Sequence, residues 1–115
     1  MADINKVLEK IKQFRDDRDW MQFHDPKSMA VSVVLEAGEL LEHFQWKSRA
    51  EVEEYIKNNK DEIAEEMADI VIYLLEFADN IGIDLIEAAD KKIDKNTRKY
   101  PVKKAKGSAK KYNQL

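Results

Sequence analysis

Residues 61–81, DEIAEEMADIVIYLLEFADNI, decide the fold because their apolar residues recur every three or four positions. This spacing predicts an amphipathic α-helix from about Asp61 to Ile81. Its apolar stripe consists of Ile63, Met67, Ile70, Val71, Leu74, Leu75 and Ala78. Gly82 follows at a position where helices commonly end, and Ile83 is placed to make the accompanying hydrophobic contact.

A second helix of the same kind is predicted over residues 26–46, PKSMAVSVVLEAGELLEHFQW. Asp25 is suited to cap it, and Pro26 is suited to the first helical position. The residues predicted to be buried are Met29, Val33, Leu40, Leu41 and Phe44. Gly38 interrupts this helix at a cost of about 1 kcal/mol relative to alanine. Such a glycine is tolerated where another backbone or a ligand comes close.

Three further helices complete the predicted architecture, at about residues 4–19, 48–58 and 84–99. The second of these begins with a capping box at Ser48, and Asp84 caps the third. With only 3 Gly and 2 Pro, the composition favours helices over turn-rich β structure. The prediction is an all-α, oligomeric protein built as an antiparallel bundle of about four to five helices. Short connections around the third helix predict that helices two and four run antiparallel.

The charge distribution separates a body from a tail. Residues 1–101 are predicted to form one all-α domain, and residues 102–115 a basic C-terminal tail. Residues 99–115 carry six lysines and no acid, which leaves 14 basic against 23 acidic residues elsewhere. An acidic body argues against binding to polymeric nucleic acid, which needs positive charge on a folded face. The tail is either solvated or supplies positive charge near an anionic ligand or a partner subunit.

Several classes of protein are excluded by what the sequence lacks. Without cysteine, the chain has no disulfide framework, thiol nucleophile or zinc–sulfur site. The apolar run over residues 70–75 is too short to span a bilayer, and no signal-peptide pattern opens the chain. We therefore expect a soluble, cytoplasmic protein with no membrane partner.

Two carboxylate pairs interrupt the apolar helices. Glu36 and Glu39, like Glu66 and Asp69, are three residues apart, which places each pair on one helical face. Charges in an apolar stripe cost desolvation energy unless a cation or donor compensates them. Antiparallel packing would bring the pairs level, because one lies near the end of its helix and the other near the start. Four clustered carboxylates predict a Mg²⁺ site, which is typical of phosphate chemistry.

Other kinds of site fit the polar residues of this sequence less well. A di-iron bundle needs two Glu-x-x-His pairs, and the two histidines, His24 and His43, lack that spacing. There is no glycine-rich phosphate loop, so phosphates would be bound by metal and by basic side chains near Asn96, such as Lys92. A solvated helix face remains the alternative for the outer acids, but Asp69 lies within an apolar run.

Aromatic residues are candidates for stacking on a planar ligand. They are Trp20, Phe23, Trp46 and Tyr73. Singly, such residues are more often part of a core or a subunit interface. Trp46 and Tyr73 each end a carboxylate stripe, which favours a nucleotide site with metal on the phosphates and rings on the base.

Taken together, these residues resemble the MazG-like all-α nucleoside triphosphate pyrophosphohydrolases, especially the branch that contains the dCTP pyrophosphatases. The motifs that carry the resemblance are Arg18-Asp19-Trp20, Gln22-Phe23-His24, Glu36-Ala37-Gly38-Glu39-Leu40, Phe44-Gln45-Trp46, Glu65-Glu66-Met67-Ala68-Asp69, Tyr100-Pro101-Val102 and Lys106-Gly107-Ser108. One departure matters for base preference, because Ile11 stands where some relatives carry a pocket histidine.

The resemblance implies hydrolysis of a nucleoside triphosphate, with deoxynucleotides favoured, to a monophosphate and pyrophosphate. It implies that Mg²⁺ is held by Glu36, Glu39, Glu66 and Asp69. Lys92 and Asn96 would reach the phosphates. The pocket for the base and sugar would be lined by Trp20, Trp46 and Tyr73. Related proteins assemble as homodimers or as homotetramers built from dimers, with sites near the subunit contacts.

Two non-enzymatic functions remain as alternatives. One is a nucleotide-binding sensor that does not turn over its ligand. The other is a helical interaction protein whose acidic face binds a basic partner. An assay of pyrophosphate release separates all three.

Overall fold

The chain folds into helices only, within residues 2–115, the part that this computed structural model describes. The helices are α1 (Ile4–Asp17), α2 (Pro26–Glu42), α3 (Arg49–Asn58), α4 (Lys60–Asn80), α5 (Leu85–Lys99) and α6 (Val102–Ala105). Single 3₁₀ turns occur at Met21–Phe23 and Tyr112–Gln114. The all-α prediction is confirmed. None of the helices described is long and apolar enough to cross a bilayer.

The helix boundaries follow the predicted capping residues. The Asp25 side chain accepts a hydrogen bond from the backbone N–H of Ser28, and Ser48 forms a reciprocal capping box with Glu51. The prediction that the second helix continues to Trp46 is wrong, because α2 ends at Glu42. Residues 43–46 form turns, in which His43 and Phe44 donate to the third preceding carbonyl while Gln45 still donates to the fourth.

Two compact units make up the chain, residues 2–82 and Ile83–Leu115. In the first unit, α2 and α4 form the main helix pair, and α1 and α3 also pack on α4. In the second unit, the ring of Tyr112 lies edge-on to Tyr100 at 6.2 Å, with Lys99 Nζ over the Tyr112 ring. The predicted division after residue 101 into a domain and a basic tail stays a prediction.

The buried core of the described chain is small. Its buried apolar residues are Ile11, Met29, Ile63, Leu75 and Ala78, of which Met29 alone is fully buried. Leu41, which was predicted to be buried, is 53% exposed. The predicted stripe of α4 is also divided, because Met67, Val71 and Leu74 are exposed while Ile63 and Leu75 are buried. The apolar pattern of each helix is wider than the surface that its neighbours in one chain cover.

The uncovered part of α2 forms a continuous apolar surface, which we call the outer face of α2. It consists of Val31, Val34, Leu35, Gly38 and Leu41. These positions recur at helical spacing on the side opposite the buried Met29, and the four apolar side chains are about half to two-thirds exposed. Apart from its chain neighbours and the backbone of its own helix, no atom of the described residues lies within 4 Å of a Cβ built on Gly38. A large exposed apolar surface of this kind is typical of a protein interface.

Candidate active site

Four carboxylates from α2 and α4 converge in the first unit. One oxygen from each of Glu36, Glu39, Glu66 and Asp69 can be chosen so that all lie within 4.8 Å of one another. The prediction that the packing of these two helices brings the carboxylate pairs side by side is therefore confirmed. Three of the four side chains are half-buried, and Glu39 is exposed. Neighbouring turns of two packed helices thus supply an oxygen-only set of potential ligands.

The cluster is electrostatically unfavourable when no cation is bound. Burial, then a hydrogen bond shared with Glu39 and repulsion from the other acids, raises the pKa of Glu36 to about 7. The pKa of Glu66 is also raised, first by a hydrogen bond with Glu39 and then by burial and repulsion. Carboxylates this close do not all stay ionised without a compensating charge.

Unsatisfied oxygen atoms indicate what that charge would be. The Oε2 atoms of Glu36 and Glu66 are buried, and neither has a hydrogen-bond partner among residues 2–115. Buried polar atoms without a partner are rare in folded proteins and call for an explanation. Carboxylate oxygens without nitrogen or sulfur ligands suit a hard divalent cation. The residues present therefore fit a metal ion.

We expect the metal-free protein to lose stability as the pH rises from 5 to 8. The pKa of Glu36 is higher in the folded chain than its ordinary value of 4.5, so folding favours the protonated carboxyl. That contribution is fully present below pH 4.5 and is lost as the pH passes through about 7. Melting temperatures measured with a chelator present test this, and divalent metal added at pH 8 should restore the loss.

The matched variant for this experiment is Glu36→Gln, which cannot ionise and should flatten the dependence of the melting temperature on pH. A metal-free wild-type protein that becomes more stable between pH 5 and pH 8 would contradict the expectation. So would a melting temperature at pH 8 that divalent metal does not change.

A histidine and a tyrosine support the cluster from one side. The ring of His43 is hydrogen-bonded through Nδ1 to the Tyr55 hydroxyl, and its Nε2 lies 3.9 Å from Glu66 Oε1. Lys47 donates to the His43 carbonyl and lies over the Tyr55 ring. The contacts hold the end of α2 against α3 and limit the orientations open to Glu66.

A cavity of about 500 Å³ lies between α1 and α4 beside the acid cluster. Its lining includes Val7, Lys10, Ile11, Phe14, Arg15, Trp20, His24, Asp69, Ile72, Tyr73 and Glu76. Asp69 belongs both to this lining and to the acid cluster, so the two features form one continuous site. Ile11, the position noted for its departure from relatives, lies in the wall.

Two of the predicted aromatic residues line the cavity. The Trp20 ring packs edge-on against Phe14 at 5.6 Å, and Tyr73 follows Asp69 by one turn of α4. Burial and the nearby acids, Glu36 foremost, raise the pKa of Tyr73, so its hydroxyl stays a neutral donor near pH 7. Trp46 is 87% exposed, and neither it nor Phe23 belongs to this lining. The role of Trp46 in the pocket stays a prediction.

The predicted phosphate-binding residues lie in the second unit. Lys92 and Asn96 are four residues apart on α5, which places them on one face of that helix, and both are exposed. Such a pair can approach an extended anion together. Their contact with phosphate stays a prediction.

A buried polar network at the cavity wall was not predicted from the sequence. The Glu76 carboxylate accepts hydrogen bonds at Oε2 from His24 Nδ1 at 2.7 Å and from Asn80 Nδ2 at 2.9 Å. Arg15 donates to Asn80 Oδ1 at 3.1 Å, and both Arg15 and Glu76 are buried. A signal was present, because Glu76 stands between Leu75 and Phe77 as Asp69 stands between apolar residues.

Comparisons with known proteins agree with this geometry. The model of the MazG-like family matches residues 31–115. The chain is 43% identical to dCTP pyrophosphatase 1 of Rattus norvegicus and 38% identical to dCTP pyrophosphatase 1 of Homo sapiens. Both alignments cover 95% of this chain and 68% of the mammalian protein. The crystal structure of a pyrophosphatase from Archaeoglobus fulgidus superposes with a TM-score of 0.83 and 44% identity, over 88% of this chain and 94% of that one.

Proposed function

This chain belongs to the MazG-like family, and from that membership we propose that it hydrolyses nucleoside triphosphates, preferentially dCTP, to a nucleoside monophosphate and pyrophosphate. It is a nucleoside triphosphate diphosphatase. Relatives that carry the name dCTP pyrophosphatase align with nearly the whole chain, and the related archaeal structure has the same fold.

The observation that carries the proposal is the position of Asp69, which belongs both to the acid cluster and to the cavity lining. A nucleoside triphosphate has an anionic end that needs cations and a planar end that needs an enclosed, partly aromatic surface. The cluster and the cavity provide for these two ends in adjacent positions. The scissile phosphates would therefore lie at the carboxylates, with the nucleoside between α1 and α4.

The ion that fits this arrangement best is Mg²⁺, held by Glu36, Glu39, Glu66 and Asp69. It prefers oxygen ligands and commonly keeps positions for waters and substrate phosphates. Bound there, it would neutralise phosphate charge and make water more acidic. A carboxylate of the cluster that is not needed as a ligand would orient the attacking water and accept its proton. The buried oxygens of Glu36 and Glu66 support this assignment.

The nucleoside end of the site is formed by Trp20 and Tyr73. Trp20 offers an aromatic surface for the base, because stacking on a ring contributes about 1–3 kcal/mol for any base. Tyr73 stands between Asp69 and the far end of the cavity, where a neutral hydroxyl can bond the sugar. Since stacking does not discriminate among bases, the dCTP preference must depend on cavity size and on polar groups at the base edge.

We also propose that a second copy of this chain covers the outer face of α2, in a dimer or a tetramer built from dimers. The thin core of the single chain and the half-exposed Val31, Val34 and Leu35 support this. Gly38, open on that face, would let a second backbone approach closely. In such an assembly, the exposed Trp46 is free to reach a site other than that of its own chain.

The test is an assay of products with a panel of ribo- and deoxynucleoside triphosphates, with Mg²⁺ or with a chelator. We expect dCMP and pyrophosphate in equimolar amounts, only when metal is present, with dCTP the best substrate by kcat/KM. Release of diphosphate and orthophosphate would contradict the assignment, because a different phosphoanhydride bond would have been cut. Tight binding of dCTP without turnover would indicate a sensor.

A further inference from the structure

The cavity is lined by a buried carboxylate that lies away from the acid cluster. Glu76 follows Asp69 by seven residues of α4, so both side chains lie on one side of the helix, about 10 Å apart along its axis. Both line the same cavity. Glu76 is only 3% exposed, and it is held by residues of α1, α4 and the connector before α2.

The two oxygens of this carboxylate are not equivalent. Oε2 accepts from His24 and Asn80, and Arg15 Nη1 lies 3.9 Å from it. Oε1 accepts no hydrogen bond within the described residues, although the side chain borders the cavity. The carboxylate is thus fixed by one oxygen, while the other is left to bond whatever occupies the cavity.

A basic side chain lies beside Glu76. Arg15, itself buried, has its Nη1 atom 3.9 Å from Glu76 Oε2, and its pKa is raised first by a hydrogen bond with Asp16 and then by the charges of Asp16 and Glu76. A buried carboxylate is costly unless it is paired and hydrogen-bonded, and this one is both. Carboxylate oxygens accept hydrogen bonds. Glu76 therefore offers a fixed acceptor to a ligand.

We propose that Glu76 is a specificity residue that accepts a hydrogen bond from the exocyclic amine of the substrate base, and so selects dCTP over dUTP. The proposal rests on the proposed function, which places the phosphates at Asp69. Two helical turns from there, the base edge of a bound nucleoside would face Glu76. Cytosine presents an amine donor at that edge, and a carboxylate accepts from it. Uracil presents a carbonyl oxygen, which would face the carboxylate with no proton between them.

The experiment compares kcat/KM for three triphosphates that differ at one position of the pyrimidine ring. They are dCTP, dUTP and the pyrimidin-2-one deoxynucleotide, which lacks the amine and has no oxygen in its place. For the wild-type enzyme we expect both analogues to be at least about tenfold poorer than dCTP, because a site built for a hydrogen bond rejects an analogue that lacks it.

The variant Glu76→Gln should reduce the ratio of dCTP to dUTP by at least about tenfold, because its amide can donate to a carbonyl oxygen as well as accept. Glu65→Gln, an exposed position on the same helix, is the matched control and should leave the ratio unchanged. A ratio within one protein is insensitive to the fraction that is folded. A purely structural role for Glu76 would lower both rates together.

The outcomes separate this inference from the function on which it rests. Turnover of dCTP with an unchanged ratio in Glu76→Gln overturns the inference alone. If that variant does not fold, equal kcat/KM values of the wild type for dCTP and the pyrimidin-2-one analogue overturn it. Absence of turnover with every triphosphate overturns the proposed function, and the inference with it.

Discussion

Asp69→Asn is expected to reduce kcat/KM for dCTP by at least about a hundredfold. Asp69 is the one residue shared by the acid cluster and the cavity, so its charge serves both the proposed metal and the substrate. Replacing even an outer-shell partner of a metal typically costs about 10- to 100-fold in affinity or activity, and a direct ligand should cost more. Glu39→Gln, which also preserves size and removes one charge, should behave similarly.

A second measurement distinguishes loss of metal binding from loss of folding. Without metal, Asp69→Asn should be at least as stable as the wild type at pH 8, because its charge contributes to the repulsion in the cluster. It should gain less stability than the wild type when Mg²⁺ is added, since bound ligand stabilises by mass action. Glu42→Gln, an exposed position on α2, is the control. Near wild-type activity in Asp69→Asn would place the metal site elsewhere.

Two properties of the sequence explain why the acid cluster could be predicted. The spacing within each pair fixes a helical face, and the short connections around α3 fix the direction of α4 relative to α2. Both are local properties, because capping residues such as Asp25 and Ser48 determine where each helix begins. A charge that interrupts an apolar stripe is then a visible anomaly. The convergence of the four side chains follows from these facts alone.

The far end of the cavity could not be predicted in the same way. His24 and Glu76 are 52 residues apart, and Arg15 and Asn80 are 65 apart. Whether such residues meet depends on how α1 packs against α4, which no local pattern states. Glu76 carried the same anomaly as Asp69, and Asp79 follows it three residues later. Its contacts, however, are with His24, Asn80 and Arg15 and not with a second acidic pair. It could not be assigned to a site until those contacts were known.

The apolar pattern did not predict correctly which residues are buried within a single chain. Periodicity indicates which residues avoid water, but not whether the same chain or another copy covers them. Leu41 and Val71 follow helical spacing and are half-exposed in the single chain. The stability of the proposed oligomer and the integrity of the site are therefore expected to depend on surfaces outside the small core.

Val34→Asp should dissociate the oligomer that we propose for the wild type. Val34 is 69% exposed in the single chain, near the middle of the outer face of α2. At an exposed position of a monomer, such a substitution changes stability by only about 0.5 kcal/mol. In an interface, it would bury a carboxylate without a partner, which costs several kcal/mol or more. Light scattering at micromolar concentration should give two or four protomers for the wild type and a smaller mass for the variant.

Ala50→Asp is the control for this change, because it adds the same charge at an exposed position in the first turn of α3, where a helix tolerates acids. Its mass should equal that of the wild type. If Trp46 acts in a site of the second copy, Val34→Asp should also lose activity, although no residue of the acid cluster has changed.

A wild-type monomer would contradict the proposal. An oligomer unaffected by Val34→Asp would place the interface on another surface, of which the exposed apolar residues of α4, Met67, Val71 and Leu74, are the next candidate.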